Sequence, residues 1–243
     1  MANRTGMTRA TASDGTGGGR SAPGWTCLGR YDGGEGFPWS KRAFDLGLLL
    51  LFLPLLGLAA AMVYGLVRFR LGSPVLFWQE RTGLKGATFR MVKFRSMTGE
   101  RDAEGRLLPD DLRLGKFGRW LRASSLDELP EVWNIARGEM SWVGPRPLLP
   151  RYLARYSPEQ MKRHDVPPGL TGWAQIHGRN LVTWDERFRL DGWYVANGSL
   201  GLDAWILIQT VAKVVRRDGI SANGEATMAE FRGSAGSDGS GRA

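Results

Sequence analysis

The 243-residue sequence contains one cysteine, Cys27, and two histidines, His164 and His177. A single thiol excludes an internal disulfide framework, and so few sulfur and imidazole ligands exclude a Cys/His zinc cluster. Any metal is left to oxygen ligands, which suit magnesium or calcium. No glycine-rich phosphate loop of the G-x-x-x-x-G-K-[ST] type is present, and no G-x-G-x-x-G turn follows a strand, so nucleotide binding by those routes is not expected. Internal repeats are absent as well. Acidic residues are outnumbered, 24 Asp+Glu against 33 Lys+Arg, for a net charge of +9. That balance suits a polyanionic partner: nucleic acid, an anionic membrane face, or a phosphorylated substrate.

What is present divides the chain. Residues 1–38 are rich in Gly, Ser, Thr and Arg and too poor in apolar residues to build a core, so they read as a disordered arm. Residues 221–243 read as a disordered tail for the same reason. Between them, residues 39–70 form an anchor and residues 71–220 a folded body. The anchor opens with Lys41-Arg42, continues as an apolar run over residues 46–67, and closes with Arg68 and Arg70. Twenty-two helical residues measure about 33 Å, enough to cross a bilayer core. A signal peptide is disfavoured by the long segment ahead of the run and by Asp45 at its entrance. A plain spanning helix and a re-entrant one remain. Basic residues flank both ends, and Pro54 interrupts the hydrogen-bond ladder. We therefore expect a re-entrant helix that dips into one leaflet and returns, with both termini on the cytoplasmic side.

The body is expected to be α+β and mostly helical. Pro74-Val-Leu-Phe-Trp-Gln and Thr88-Phe-Arg-Met-Val-Lys-Phe-Arg read as two strands of a short β-hairpin, turned at Gly83-Leu-Lys-Gly86. Ser157-Pro158-Glu159-Gln160 and Thr183-Trp-Asp-Glu186 read as capping boxes that open helices. Residues 202–215 form a broad apolar stripe that includes Trp205. It suits either an amphipathic helix lying in the membrane interface or a buried core helix.

Chemistry concentrates between Arg119 and Pro147. Asp127 and Glu128 are adjacent, so on a helix they point about 100° apart and do not form a symmetric carboxylate pair. Near a helix start they could share a metal, or one could attack while the other holds it. They could equally serve the helix dipole, or Ser125 with Glu128, or Asp127 alone, could cap the helix. Gly144-Pro145-Arg146-Pro147 presents an arginine from a stiff loop, a good bidentate clamp for phosphate. Lys93, Arg95, Arg122 and Arg179 could add positive charge. Cations gathered around carboxylates and an oxygen-bound metal are what phosphoryl transfer requires.

Seven segments, in order over about residues 39–216, resemble the bacterial sugar transferases, also called small monotopic phosphoglycosyl transferases. They are Lys41-Arg42-Ala-Phe-Asp45, Phe77-Trp-Gln79-Glu-Arg81-Thr-Gly83, Lys93-Phe-Arg95-Ser-Met97, Ser125-Leu-Asp127-Glu128-Leu-Pro130, Val143-Gly-Pro-Arg146-Pro147, Pro168-Gly-Leu-Thr-Gly172-Trp-Ala-Gln175 and Trp193-Tyr-Val195. The resemblance implies transfer of a sugar-1-phosphate from a UDP-sugar to undecaprenyl phosphate, with release of UMP, as the first step of a surface glycan. It implies that Asp127 is the nucleophile of a covalent phosphosugar intermediate and that Asp127 and Glu128 hold Mg²⁺. It further implies that Lys93, Arg122, Arg146 and Arg179 bind substrate, and that the body is a cytoplasmic catalytic domain on the bacterial inner membrane, in contact with lipid. Leu53-Pro54 departs from the Ser-Pro of many members at the helix break. Gly172-Trp-Ala-Gln175 and Gly178-Arg179-Asn180 look more like members that handle N-acetylated amino sugars.

Two other readings are weaker. A membrane-tethered nucleic-acid binder fails because the basic residues are interleaved with apolar ones and no recognition motif appears, so no nucleic-acid partner is expected. A non-catalytic scaffold for later glycosyltransferases fails because Asp127, Glu128 and Arg146 are all intact. Downstream glycosyltransferases and a second copy of the chain remain candidate protein partners.

Overall fold

The computed structural model describes residues 38–178, 182–216 and 230–233. The expected arm therefore lies outside the described residues apart from Pro38, and of the expected tail only residues 230–233 are described. Those four residues correct the tail: Phe231 is 2% exposed and packs on the body.

Helix α1 (Trp39–Leu71) spans 33 residues and continues through Pro54. Its Leu- and Ala-rich run favours a helix, and Arg68 and Arg70 lie where they complement the dipole. Gly72, at φ 77°, ends it by returning its N–H to the Arg68 carbonyl at 3.2 Å. Both ends of α1 are fastened to the same body. At the N-terminal end, Lys41 Nζ lies 2.5 Å from Asp203 Oδ2 and 3.5 Å from Asp45 Oδ1, with all three side chains buried. Asp45 accepts hydrogen bonds from Ser141 Oγ and the Trp142 N–H, and Arg42 donates to the carbonyls of Ile135 and Ala136. At the C-terminal end, Val63 and Val67 pack with Val75, Phe94 and Leu121, and Arg95 donates to the Leu71 carbonyl. The stretch between is bare along one side, where Leu50, Leu51, Leu55 and Leu58 are 61–70% exposed, while Leu56 and Ala60 touch the core. Among the described residues, α1 is the one helix long and apolar enough to cross a membrane, and only 11% of its most apolar stretch is buried.

Strand β1 (Leu76–Thr82) pairs antiparallel with β2 (Thr88–Phe94), in a register that sets Phe77 opposite Lys93 and Thr82 opposite Thr88. The turn between them contains Lys85 at φ 53° and Gly86 at φ 80°. Two short helices, α2 (Asp110–Arg113) and α3 (Lys116–Ala123), lead to a 3₁₀ turn over Leu126–Glu131 that runs directly into α4 (Val132–Arg137). A second pair of strands was not legible in the sequence. β3 (Ser141–Val143) lies parallel to β4 (Gly169–Thr171), and three residues are too few to show a period. Between them come a 3₁₀ stretch over Pro150–Arg155, then α5 (Pro158–Met161), then another 3₁₀ stretch over Lys162–Asp165. The chain closes with α6 (Trp173–His177), α7 (Trp184–Asn197) and α8 (Leu200–Arg216).

Ser157 forms the reciprocal box with Gln160. Thr183 accepts from the Glu186 N–H at 3.2 Å, while Glu186 turns its carboxylate to Arg189. Helix α8 buries one apolar face and exposes another. Leu202, Trp205 and Ile206 lie in the main core with Ile135, Met140 and Tyr194, while Ile208 and Val211 face outward, 59% and 63% exposed.

Candidate active site

Ser125 stands at φ 57° and ψ 16°, a left-handed conformation uncommon outside glycine, and its side chain caps nothing. The capping readings for Ser125 and Asp127 are thus not what forms. The left-handed residue instead reverses the chain after α3 and starts the 3₁₀ turn. With three residues per turn, side chains three apart eclipse one another. Glu128 and Glu131 therefore share an edge and both reach Lys93 on β2: its Nζ is 2.9 Å from Glu128 Oε1 and 3.0 Å from Glu131 Oε1. Asp127 lies on a different edge.

Arg146 arrives from the loop after β3. Its position depends on close backbone contact: a Cβ on Gly172 would lie 2.1 Å from the Gly144 carbonyl oxygen, and one on Gly144 2.3 Å from that of Pro167. Arg146 Nη2 pairs with Glu128 Oε1. On the other flank, a Cβ on Gly118 would lie 1.9 Å from the Ser96 carbonyl oxygen, so glycine lets α3 lie against Ser96. One turn further along α3, Arg122 Nε donates to Ser96 Oγ at 2.9 Å.

The two adjacent acids are therefore in opposite states. Glu128 pairs with two cations through one oxygen, Oε1. Against the opposition of burial, Arg146 and Lys93 hold its carboxyl far below the ordinary range. Asp127 is buried at 7% exposure, and among the described residues it accepts no hydrogen bond and has no ion pair. Burial first, and the Glu128 charge second, raise it to about 6, while Lys93, Arg146 and Arg122 oppose the rise. The result is a largely buried carboxyl group without a protein partner, within the electrostatic influence of Lys93, Arg146 and Arg122.

The structure thus brings together Asp127, Glu128, Lys93, Arg122 and Arg146. Lys93 and Arg146 are engaged with the protein's own carboxylates, while Arg179 lies outside the described residues. Two further residues join the site. Glu131 is 1% exposed and is raised to about 7 by burial, with Lys93 opposing. Arg81 donates to Gln79 Oε1 and to the Pro147 carbonyl, and burial first, then Arg146, lower it to about 10. Arg81 belongs to a motif already singled out. Glu131 could have been found from its spacing of three from Glu128, had a 3₁₀ turn been foreseen.

Residues 37–217 match the family model of the bacterial sugar transferases. A protein of Bacillus subtilis named as the uncharacterized sugar transferase EpsL is 48% identical over 194 residues, 80% of this chain and 96% of that protein. The UDP-galactose-lipid carrier transferase of Erwinia amylovora is 38% identical over 201 residues, 74% of this chain and 41% of its own length. The UDP-N-acetylgalactosamine-undecaprenyl-phosphate N-acetylgalactosaminephosphotransferase of Aeromonas hydrophila is 32% identical over 187 residues, 74% of this chain and 44% of its own length. The chain spans nearly all of the first relative and less than half of the other two. With Asp127, Glu128, Arg146 and the long apolar helix all inside the matched segment, the chain belongs to the bacterial sugar transferase family.

Proposed function

We propose that this chain is a phosphoglycosyl transferase that moves a sugar-1-phosphate from a UDP-sugar to undecaprenyl phosphate and releases UMP, beginning a surface glycan. Family membership and the named activities of the Erwinia and Aeromonas relatives support the reaction class. The observation that carries the mechanism is the contrast between a Glu128 paired with two cations and an unpartnered, buried Asp127.

A carboxylate oxygen of Asp127 attacks the sugar-bearing phosphorus of the donor. The bond from that phosphorus to the bridging oxygen breaks, and the oxygen leaves with UMP. An oxygen of undecaprenyl phosphate then attacks the same phosphorus and frees Asp127. Two such displacements, with a covalent intermediate between them, replace one harder step. Arg146, Arg122 and Lys93 supply preorganised positive charge around the transferring group, and Arg179 is proposed to join them. Glu128 acts through Arg146 and Lys93, holding both cations in place.

Magnesium fits the residues present. No group of three His, Cys, Asp or Glu side chains able to hold a metal occurs among the described residues. Mg²⁺ needs no such cage, because it is commonly held by one or two carboxylates, waters and substrate phosphates. The unpartnered oxygens of Asp127, with the second oxygen of Glu128, are hard donors of that kind. When bound, the ion supplies charge neutralisation at the phosphates.

The anchor is read as re-entrant, which places the body on the cytoplasmic face of the inner membrane. Support comes from α1 itself: its two ends fasten to one body while Leu50, Leu51, Leu55 and Leu58 between them stay exposed. The donor is proposed to carry an N-acetylated amino sugar.

The test is UMP release by the purified protein from a panel of UDP-sugars with undecaprenyl phosphate and Mg²⁺. Lipid-dependent release, abolished by EDTA, is expected, and it is expected to be fastest with an N-acetylated donor. Release of UDP instead would mean that the sugar moves without its phosphate, and the mechanism above would fail.

A further inference from the structure

Residues 230–233 lie beyond the segment matched to the family, which ends at residue 217, yet they are docked on the catalytic body. Phe231 fills a socket of four aromatic rings. Its centroid is 5.1 Å from that of Phe188, 5.3 Å from Trp184, 5.7 Å from Tyr156 and 5.8 Å from Tyr152, with the Phe188 and Tyr152 contacts edge-on. The Arg155 guanidinium donates to the Phe231 carbonyl. Glu230 pairs with Arg155 at 3.1 Å and Arg151 at 3.4 Å, but all three side chains are substantially exposed. Exposed pairs of this kind add little, so ring burial carries the docking.

The socket backs onto the active site. Arg163 sits over the Phe188 ring, with its guanidinium carbon 5.6 Å from the centroid, and donates to the Tyr156 hydroxyl at 3.5 Å. Both rings touch Phe231. The same guanidinium, locked to Asp191 at 2.8 Å, donates to the Arg146 main-chain carbonyl at 2.8 Å. Leu148, two residues beyond Arg146, packs in the Phe231 cluster as well. We propose that residues 230–233 act in cis as a strap, with Phe231 a positioning residue that holds the Arg146 loop through Phe188, Tyr156 and Arg163. The functional half of this inference rests on the transferase reading given above.

The test compares the full-length protein with Phe231→Ala and Phe231→Leu. Amide hydrogen exchange over residues 146–156 and 184–190 reports the strap without any turnover. Donor kcat/KM, measured well below each protein's Tm, reports positioning. Phe231→Ala is expected to speed exchange in both segments and to lower kcat/KM about tenfold, mainly through donor KM. Phe231→Leu, which refills most of the socket, is expected to restore both. Unchanged exchange in Phe231→Ala would overturn the strap. Faster exchange with unchanged kcat/KM would overturn the positioning role, as would a kcat/KM loss that tracks Tm alone and is not rescued by leucine. A wild-type protein that releases no UMP would instead overturn the transferase reading, and the exchange comparison would still decide the strap.

Discussion

Asp127 and Glu128 stand in different surroundings, although adjacent, because a 3₁₀ turn sends them to different edges. Glu128 faces Lys93 and Arg146, and Asp127 is left without a partner. Glu131 has a third role. Burial raises its carboxyl from an ordinary 4.5 to about 7, so the folded chain holds a proton there that the unfolded chain releases. Between about pH 4.5 and 7 the native state binds more protons, and the contribution of Glu131 to stability therefore falls as pH rises through that window. Glu131→Gln removes the cost of the buried charge and leaves Lys93 paired with Glu128. We predict that its Tm exceeds wild type by about 5 °C at pH 8, with the gap closing by pH 4.5, as thermal melts across that range would show. A lower Tm than wild type at pH 8 would mean that the ionised Glu131–Lys93 pair is net stabilising. Arg146→Lys keeps a charge but loses the planar fork, so donor kcat/KM is predicted to fall about tenfold or more in steady-state assays. Asp127, Glu128 and Arg146 were legible in the sequence because unusual neighbours, an acidic pair and flanking prolines, marked them. Glu131 was not, since it looks like an ordinary surface charge until the fold buries it, and Arg81 stood in a recognised segment without being marked as a site residue.

Among the elements, α1 carries the clearest division of labour. Its apolar centre keeps Leu50, Leu51, Leu55 and Leu58 exposed while Leu49 and Leu56 touch the core, and its polar first turns are locked into the core by Lys41, Arg42 and Asp45. Breaking one partner of a buried ion pair leaves an uncompensated charge, which costs about 3–5 kcal/mol. We predict that Lys41→Met lowers Tm by about 10 °C in detergent. A Tm within 2 °C of wild type, by the same scaling, would show that the latch does not hold α1 to the body. The long helix and the two longer strands were readable because each repeats its pattern over several residues. The β3–β4 pair was not, because its backbones meet through glycines at positions 144, 169 and 172 rather than through patterned side chains. The left-handed residue at Ser125 was also hidden, since serine three residues before a glutamate spells a capping box in any sequence.

On the scale of the whole molecule, one body receives both ends of an apolar helix, and the turn that carries Asp127 and Glu128 packs against that helix. If the helix is re-entrant, tags at residue 1 and residue 243 are both shielded from reagents outside the cell. Labelling of the N-terminal tag from outside would replace the re-entrant anchor with a spanning one and leave the chemistry standing. Order and spacing of motifs revealed the family over most of the chain, but Phe231 lies in a glycine- and serine-rich stretch where nothing local signals burial. The central claim is that Asp127 becomes covalently phosphorylated by the sugar-1-phosphate, and intact-protein mass spectrometry tests it directly. Incubation with the preferred UDP-sugar and Mg²⁺, without lipid, is predicted to add the mass of one sugar-1-phosphate, to map to the peptide containing Asp127, and to vanish on addition of undecaprenyl phosphate. In Asp127→Asn the adduct is predicted to be absent. An adduct that persists in Asp127→Asn, or lipid-dependent UMP release by that variant at the wild-type rate, would contradict the account.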